Sequence, residues 1–128
     1  MKNYVAHFDI PVSNTEKSTK YYQDLFGWKI DEIPGMNYSL VYTADLDPVT
    51  KKTSQAGAIN GGMAKVSDAG DIHQAYFTVE VDDVQAMLDK AVAMGGKIVR
   101  PYISGGWGDM AVFADPDGNI IGLHHANN

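Results

Sequence analysis

His7 and Asp9 stand two residues apart in a segment that alternates polar and apolar residues, and Tyr76, Thr78 and Glu80 occupy the same phase of a second such segment, offset by 69 residues. A strand sends every other side chain to the same side, so these polar groups share one face within each segment. An imidazole in that setting suits general acid or base work, or hydrogen-bond donation to a ligand. The competing reading is a histidine satisfied by a neighbour such as Asp9 or Tyr76. For Tyr76, a hydroxyl aimed at a ligand competes with plain aromatic lining. A row of polar groups on one sheet face points to a ligand cavity more than to a packed core, although Asp9 and Glu80 also suit a wet rim. Ser39 has no base at a motif spacing, so no serine nucleophile is proposed. The chain has no cysteine, which excludes thiolate metal sites, cysteine nucleophiles and a disulfide framework.

The elements that position these residues are duplicated. His7-Phe8-Asp9-Ile10-Pro11-Val12 lies against Tyr76-Phe77-Thr78-Val79-Glu80-Val81, and the register holds through Ser13 against Asp82, Glu16 against Gln85 and Gly27 against Gly96. Residues 4 to 10 alternate as a half-buried strand with Phe8 and Ile10 opposite His7 and Asp9. Ser13-x-x-Glu16 and Asp82-x-x-Gln85 read as capping boxes. The helices that follow carry Ser18, Tyr21, Tyr22, Leu25 and Phe26, then Val84, Met87, Leu88 and Ala91, each set forming one apolar face to bury. Gly27 and Gly95-Gly96 end them. Strands are expected at 28–32, 38–43 and 57–64 in the first half and at 97–100, 110–114 and 119–125 in the second. Each half is therefore βαβββ. Asp115-Pro116-Asp117-Gly118-Asn119 is a tight-turn signal.

Some motifs have two readings. Gly105-Gly106-Trp107-Gly108 is either a lid whose Trp107 closes on a ligand or a flexible connection with the indole packed down; it lacks the GK[ST] ending of a phosphate loop. In Asn60-Gly61-Gly62-Met63 the glycines permit a close backbone approach or a bulge, either of which opens space where a longer side chain would otherwise project; the competing reading is a bulged edge strand with no ligand. Trp28 belongs to the core or to a module interface.

Composition narrows the partners. The chain has 128 residues, 45% of them hydrophobic, enough for one domain: module one at about 1–65, a linker at about 66–72 and module two at about 73–128. Net charge is −6 and Arg100 is the only arginine, which argues against nucleic acid and anionic membranes. No apolar run approaches the roughly 20 residues that cross a bilayer. The expectation is a soluble, cytoplasmic protein with a small-molecule ligand.

Taken in order on a duplicated frame, His7-Phe8-Asp9-Ile10-Pro11-Val12, Tyr21-Tyr22-x-x-Leu25-Phe26-Gly27-Trp28, Phe77-Thr78-Val79-Glu80-Val81-Asp82-Asp83-Val84 and Phe113-Ala114-Asp115-Pro116-Asp117-Gly118-Asn119 resemble the vicinal oxygen chelate superfamily, the glyoxalase, bleomycin-resistance and extradiol-dioxygenase group. The resemblance covers essentially the whole chain. It implies an α+β fold in which two tandem βαβββ modules form a U-shaped cup of mixed sheet, and a homodimer. In metal-using members it implies one ligand from the first strand of each module, usually His, and one from each last strand, usually Glu. Residue by residue, His7 fills one of these positions, Tyr76 the second, and Gly122 and about Gly62 the last-strand pair.

The glutamates are Glu16, Glu32 and Glu80, none of them in the last strands. A catalytic divalent ion needs about three protein ligands, so no cofactor and no metal ligand is predicted. A shifted set of His7, His124 and Asp9 or Glu80 is the one route to a divalent metal; otherwise His124 is a polar residue of a C-terminal strand. The functional expectation is a glyoxalase-like protein that binds a small organic molecule, as a metal-independent lyase or isomerase with His7 as acid or base. Asp9, Asn60, Tyr76, Thr78, Glu80, Trp107 and His124 would contact the ligand. Sequestration without catalysis, as in bleomycin-resistance proteins, is the alternative, and a metal-dependent glyoxalase or dioxygenase the third reading.

Overall fold

The computed structural model describes residues 3–66 and 72–127. The elements run β1 (Tyr4–Val12), α1 (Thr15–Phe26), β2 (Lys29–Ile33), β3 (Tyr38–Tyr42), β4 (Gly61–Lys65), β5 (Tyr76–Glu80), α2 (Val84–Ala93), β6 (Lys97–Gly105), β7 (Gly108–Ala114) and β8 (Ile120–His125). This is the expected α+β order, βαβββ twice. The chain divides into two compact units, His7–Ala75 and Met1–Ala6 with Tyr76–Asn128. Most of the linker expected at about 66–72 lies outside the described residues.

In the unit His7–Ala75, β1 runs parallel to β4, β3 is antiparallel to β4, and β2 is antiparallel to β3. Strand alternation turns Phe8, Ile10 and Val12 toward a core of Val12, Ile30, Val41 and Met63, against which Tyr22 and Trp28 also pack. Trp28 is the hub: its ring centroid lies 6.1 Å from Phe8, 5.5 Å from Tyr22 and 4.8 Å from Phe26. Trp28 is thus a core residue. The apolar face of α1 is less buried than its spacing predicts, for Tyr21, Leu25 and Phe26 stay more than half exposed. The bulky rings of Tyr22 and Trp28 occupy the gap between helix and sheet and leave the rest of that face outside.

In the other unit, β5 runs parallel to β8, and β7 is antiparallel to both β8 and β6. Its core is Val81, Val84, Leu88, Ala111 and Leu123, with Val79, Met87 and Phe113 packed on it. β6 continues to Gly105, beyond the expected end at Arg100. Register shifts between Ile98 and Ile103 carry the strand past Pro101, and an edge strand tolerates a residue without an N–H.

Both helix caps fall one residue later than the capping-box reading. Asn14 accepts from the backbone N–H of Lys17 at 3.0 Å, and Asp83 accepts from that of Ala86 at 3.0 Å. Asn and Asp cap as well as Ser, and β1 holds the chain extended through Val12 before the helix can start. The equal shift in both modules keeps the repeat in register. Among the described residues no helix is long and apolar enough to cross a membrane.

Candidate functional site

β1 places His7 and Asp9 on the face turned away from the Phe8 and Ile10 core, as alternation predicts. The residue that joins them, Tyr38 of β3, is absent from the sequence-derived set. Its hydroxyl donates to Asp9 Oδ1 at 2.7 Å and lies 2.9 Å from His7 Nε2. His7 Nε2 also stands 3.5 Å from Asp9 Oδ1. The His7 side chain keeps 34% of its surface exposed while that of Asp9 keeps 14%, so the imidazole is open to a ligand and the carboxylate is sheltered behind it. A base held by a hydroxyl that is itself held by a carboxylate is a proton-handling arrangement.

Local structure explains why Tyr38 is there. Ser39 and Val41 are buried on the core side of β3, which turns Tyr38 and Leu40 to the His7 face. Across the sheet Leu40 pairs with Gly62 and Gly62 with Asp9. A Cβ on Gly62 would overlap the Tyr38 hydroxyl. The space beside this glycine is therefore filled by the phenol, contrary to the expectation that it stands open. β3 alternation combined with a glycine in the last strand is the sequence signal for Tyr38, but it becomes readable only once the register is known.

The second module repeats the frame with other chemistry. Thr78 pairs with Gly122, and a Cβ there would overlap the Thr78 hydroxyl. Glu80 pairs with His124, and Glu80 Oε1 lies 2.7 Å from His124 Nδ1. His124 Nε2 lies 2.6 Å from the Trp107 carbonyl oxygen, and Glu80 Oε2 accepts from the Ala126 N–H at 2.8 Å. Glu80 and His124 are thus brought together but used internally. Trp107 sits on the tight turn between β6 and β7, where Gly105 pairs with Gly108. That turn is too short to swing as a lid, and the indole is half exposed instead of packed down. Tyr76 is half-buried at the start of β5 and has contacts of its own.

Asn60 serves the backbone. Its Oδ1 accepts from the N–H groups of Thr43 at 2.8 Å and Ala44 at 3.3 Å, tying the end of β3 to the start of β4. β4 begins at Gly61, later than expected, and the chain ahead of it turns at Gly57, whose φ is 82°. A separate apolar cleft of about 400 Å³ lies on the α2 side of the second unit, lined by Val79, Met87, Met94, Phe113 and Leu123 among others. None of the sequence-predicted site residues lines it.

The ligand positions implied by the resemblance do not fit a metal. Overlap with Tyr38 and Thr78 bars any side chain at Gly62 and Gly122 without rearrangement, which leaves His7 alone. In the shifted set, both ring nitrogens of His124 are engaged, by Glu80 and by the Trp107 carbonyl. Among the described residues no group of three or more His, Cys, Asp or Glu side chains is placed to hold a metal ion.

Comparison with known proteins agrees with the fold. Residues 4–123 match the model of the Glyoxalase/Bleomycin resistance protein/Dioxygenase superfamily. CFP32 of Mycobacterium tuberculosis, named as a candidate glyoxylase, is 31% identical over 122 residues, covering 93% of this chain and 44% of that protein. The chain thus spans less than half the length of that relative. A lactoylglutathione lyase of Haemophilus influenzae is 27% identical over 122 residues, covering 91% of this chain and 88% of the lyase. Among solved structures, a superfamily member from Vibrio splendidus superposes with a TM-score of 0.61 at 12% identity, covering 97% of this chain and 99% of that one. Methylmalonyl-CoA epimerase from Mycobacterium tuberculosis gives a TM-score of 0.64 at 15% identity, covering 97% and 88%. At such identities the likeness is one of fold.

Proposed function

The chain belongs to the Glyoxalase/Bleomycin resistance protein/Dioxygenase superfamily, and we propose that within it the chain binds a small organic molecule and acts on it as a metal-independent lyase or isomerase, with His7 as acid or base. The observation that carries this reading is the linked set of His7, Tyr38 and Asp9. An imidazole takes a proton from carbon only where an adjacent electron-withdrawing group, most commonly a carbonyl, delocalises the charge left behind. The substrate class is therefore a carbonyl compound with an acidic neighbouring C–H. The C–H bond breaks, its proton goes to His7, and its electron pair passes into an enolate. Return of the proton to another face or atom completes an isomerisation. The lactoylglutathione lyase name of one relative fits the same class of reaction.

The test is a panel of such carbonyl compounds, lactoylglutathione among them, offered to protein stripped with chelator. Turnover is expected to survive the chelator and to disappear in His7→Gln. Turnover that returns only with added divalent metal would overturn the reading. Sequestration is the second reading, favoured because Glu80 and His124 are consumed by internal bonds. Tight binding without turnover selects it. A cytoplasmic location and a homodimer belong to the same proposal, and sizing of the purified protein by light scattering checks the latter.

A further inference from the structure

We propose that Tyr38 and Asp9 are positioning residues that hold His7 with its proton on Nε2, so that the Nδ1 lone pair is the base presented to substrate. This deepens the acid–base reading above and rests on it. The argument is a count of protons. A carboxylate only accepts hydrogen bonds, and a phenol has one hydrogen to give. The 2.7 Å bond from Tyr38 to Asp9 Oδ1 uses that hydrogen. Whatever else the phenol oxygen accepts, its 2.9 Å contact with His7 Nε2 needs a hydrogen from the imidazole. Nε2 therefore carries the proton, and the neutral ring has its lone pair on Nδ1. Among the described residues Nδ1 makes no hydrogen bond.

The chain Nε2–H to Tyr38 to Asp9 also suits the charge that catalysis creates. When Nδ1 takes a proton from carbon, the ring becomes a cation whose Nε2–H stays on Tyr38. Asp9 Oδ1, 3.5 Å from Nε2, then faces it as an opposite charge. Substrate proton and electron pair are accounted for as in the step above, and neither Tyr38 nor Asp9 gains or loses a proton overall. Gly62 is part of the device, because only a residue without a Cβ leaves room for the phenol.

Nitrogen NMR of the histidine rings in the ligand-free full chain reads the tautomer directly, with the His7 signals assigned by their loss in His7→Gln. Neutral His7 is expected as the Nε2–H form. In Tyr38→Phe, which keeps the ring but removes the hydroxyl, the preference should fall about tenfold, the worth of one hydrogen bond. Asp9→Asn should weaken it too, because a neutral amide oxygen holds the phenol proton less firmly than a carboxylate and lets it turn toward Nε2. An Nδ1–H form in the wild type overturns the proposal, as does an unchanged ratio in both variants. The measurement needs no substrate, so its failure is separate from a failure of the turnover test.

Discussion

The Tyr38 hydroxyl occupies the space that a Cβ on Gly62 would need, although the backbone of Gly62 pairs with Leu40 and Asp9 and not with Tyr38 itself. The glycine and the tyrosine form one unit. Gly62→Ala must displace the phenol and break its bonds to His7 and Asp9, at a cost of about 1–3 kcal/mol for overpacking. Tyr38→Ala vacates the space. In the double variant the alanine at 62 should therefore cost much less than it does alone, a coupling of about 1 kcal/mol or more. Urea denaturation of the four proteins measures it, and additive effects would show that the two residues do not share the space.

The hairpin turn that carries Trp107 is fastened from the C-terminal side. His124 Nε2 meets the Trp107 carbonyl at 2.6 Å, and Asn127 Nδ2 donates to the Gly105 carbonyl at 3.1 Å. His124→Ala removes one of these links and leaves Glu80 with the Ala126 N–H. A loss of about 1–2 kcal/mol is expected, with faster amide exchange around Gly106 and Trp107 and a shifted indole fluorescence. If exchange in the turn were unchanged, Asn127 and the β6–β7 ladder alone would suffice to hold it.

Much of this was legible in the sequence, and the part that was not has a common cause. Alternation and the repeat placed Phe8 and Ile10 opposite His7 and Asp9, and placed Thr78 and Glu80 on one face, because strand periodicity is local. The pairing of Glu80 with His124 and the bridging by Tyr38 depend on which strands lie side by side, across 44 and 29 residues of sequence respectively. Glycine marks a close approach, yet it does not say what approaches; Tyr38 and Thr78 do so here. The backbone role of Asn60 likewise depends on the end of β3 lying beside it.

Ser39 tests the opposite case, a polar group with no task. It is fully buried, and its hydroxyl has no hydrogen-bond partner among the described residues. A buried hydroxyl left unpaired loses its hydration for nothing. Ser39→Ala should therefore leave stability unchanged or raise it by up to about 1 kcal/mol, with the His7 tautomer unaffected. Thermal and urea unfolding decide the matter; a clear loss of stability would mean that the hydroxyl has a partner.

The turn between β7 and β8 should give the chain an acid-sensitive step. Asp115 accepts from the Asn119 side chain and backbone at 2.9 Å each and from the Asp117 N–H at 2.9 Å. The Asn119 side chain is the largest influence holding its carboxyl below the ordinary carboxylate range, followed by the Asn119 backbone N–H. A carboxyl whose pKa is lower folded than unfolded binds its proton more tightly in the unfolded chain. Its contribution is complete above the unfolded value, near 3.8, and is lost as the pH falls through the folded one. Asp115→Asn removes the titrating group. The wild type should therefore melt above the variant near neutrality, with the gap closing below about pH 4 as protonation makes the two alike. Melting temperatures across that range test this, and a gap that persisted in strong acid would assign the difference to the shape of the turn instead of to its charge.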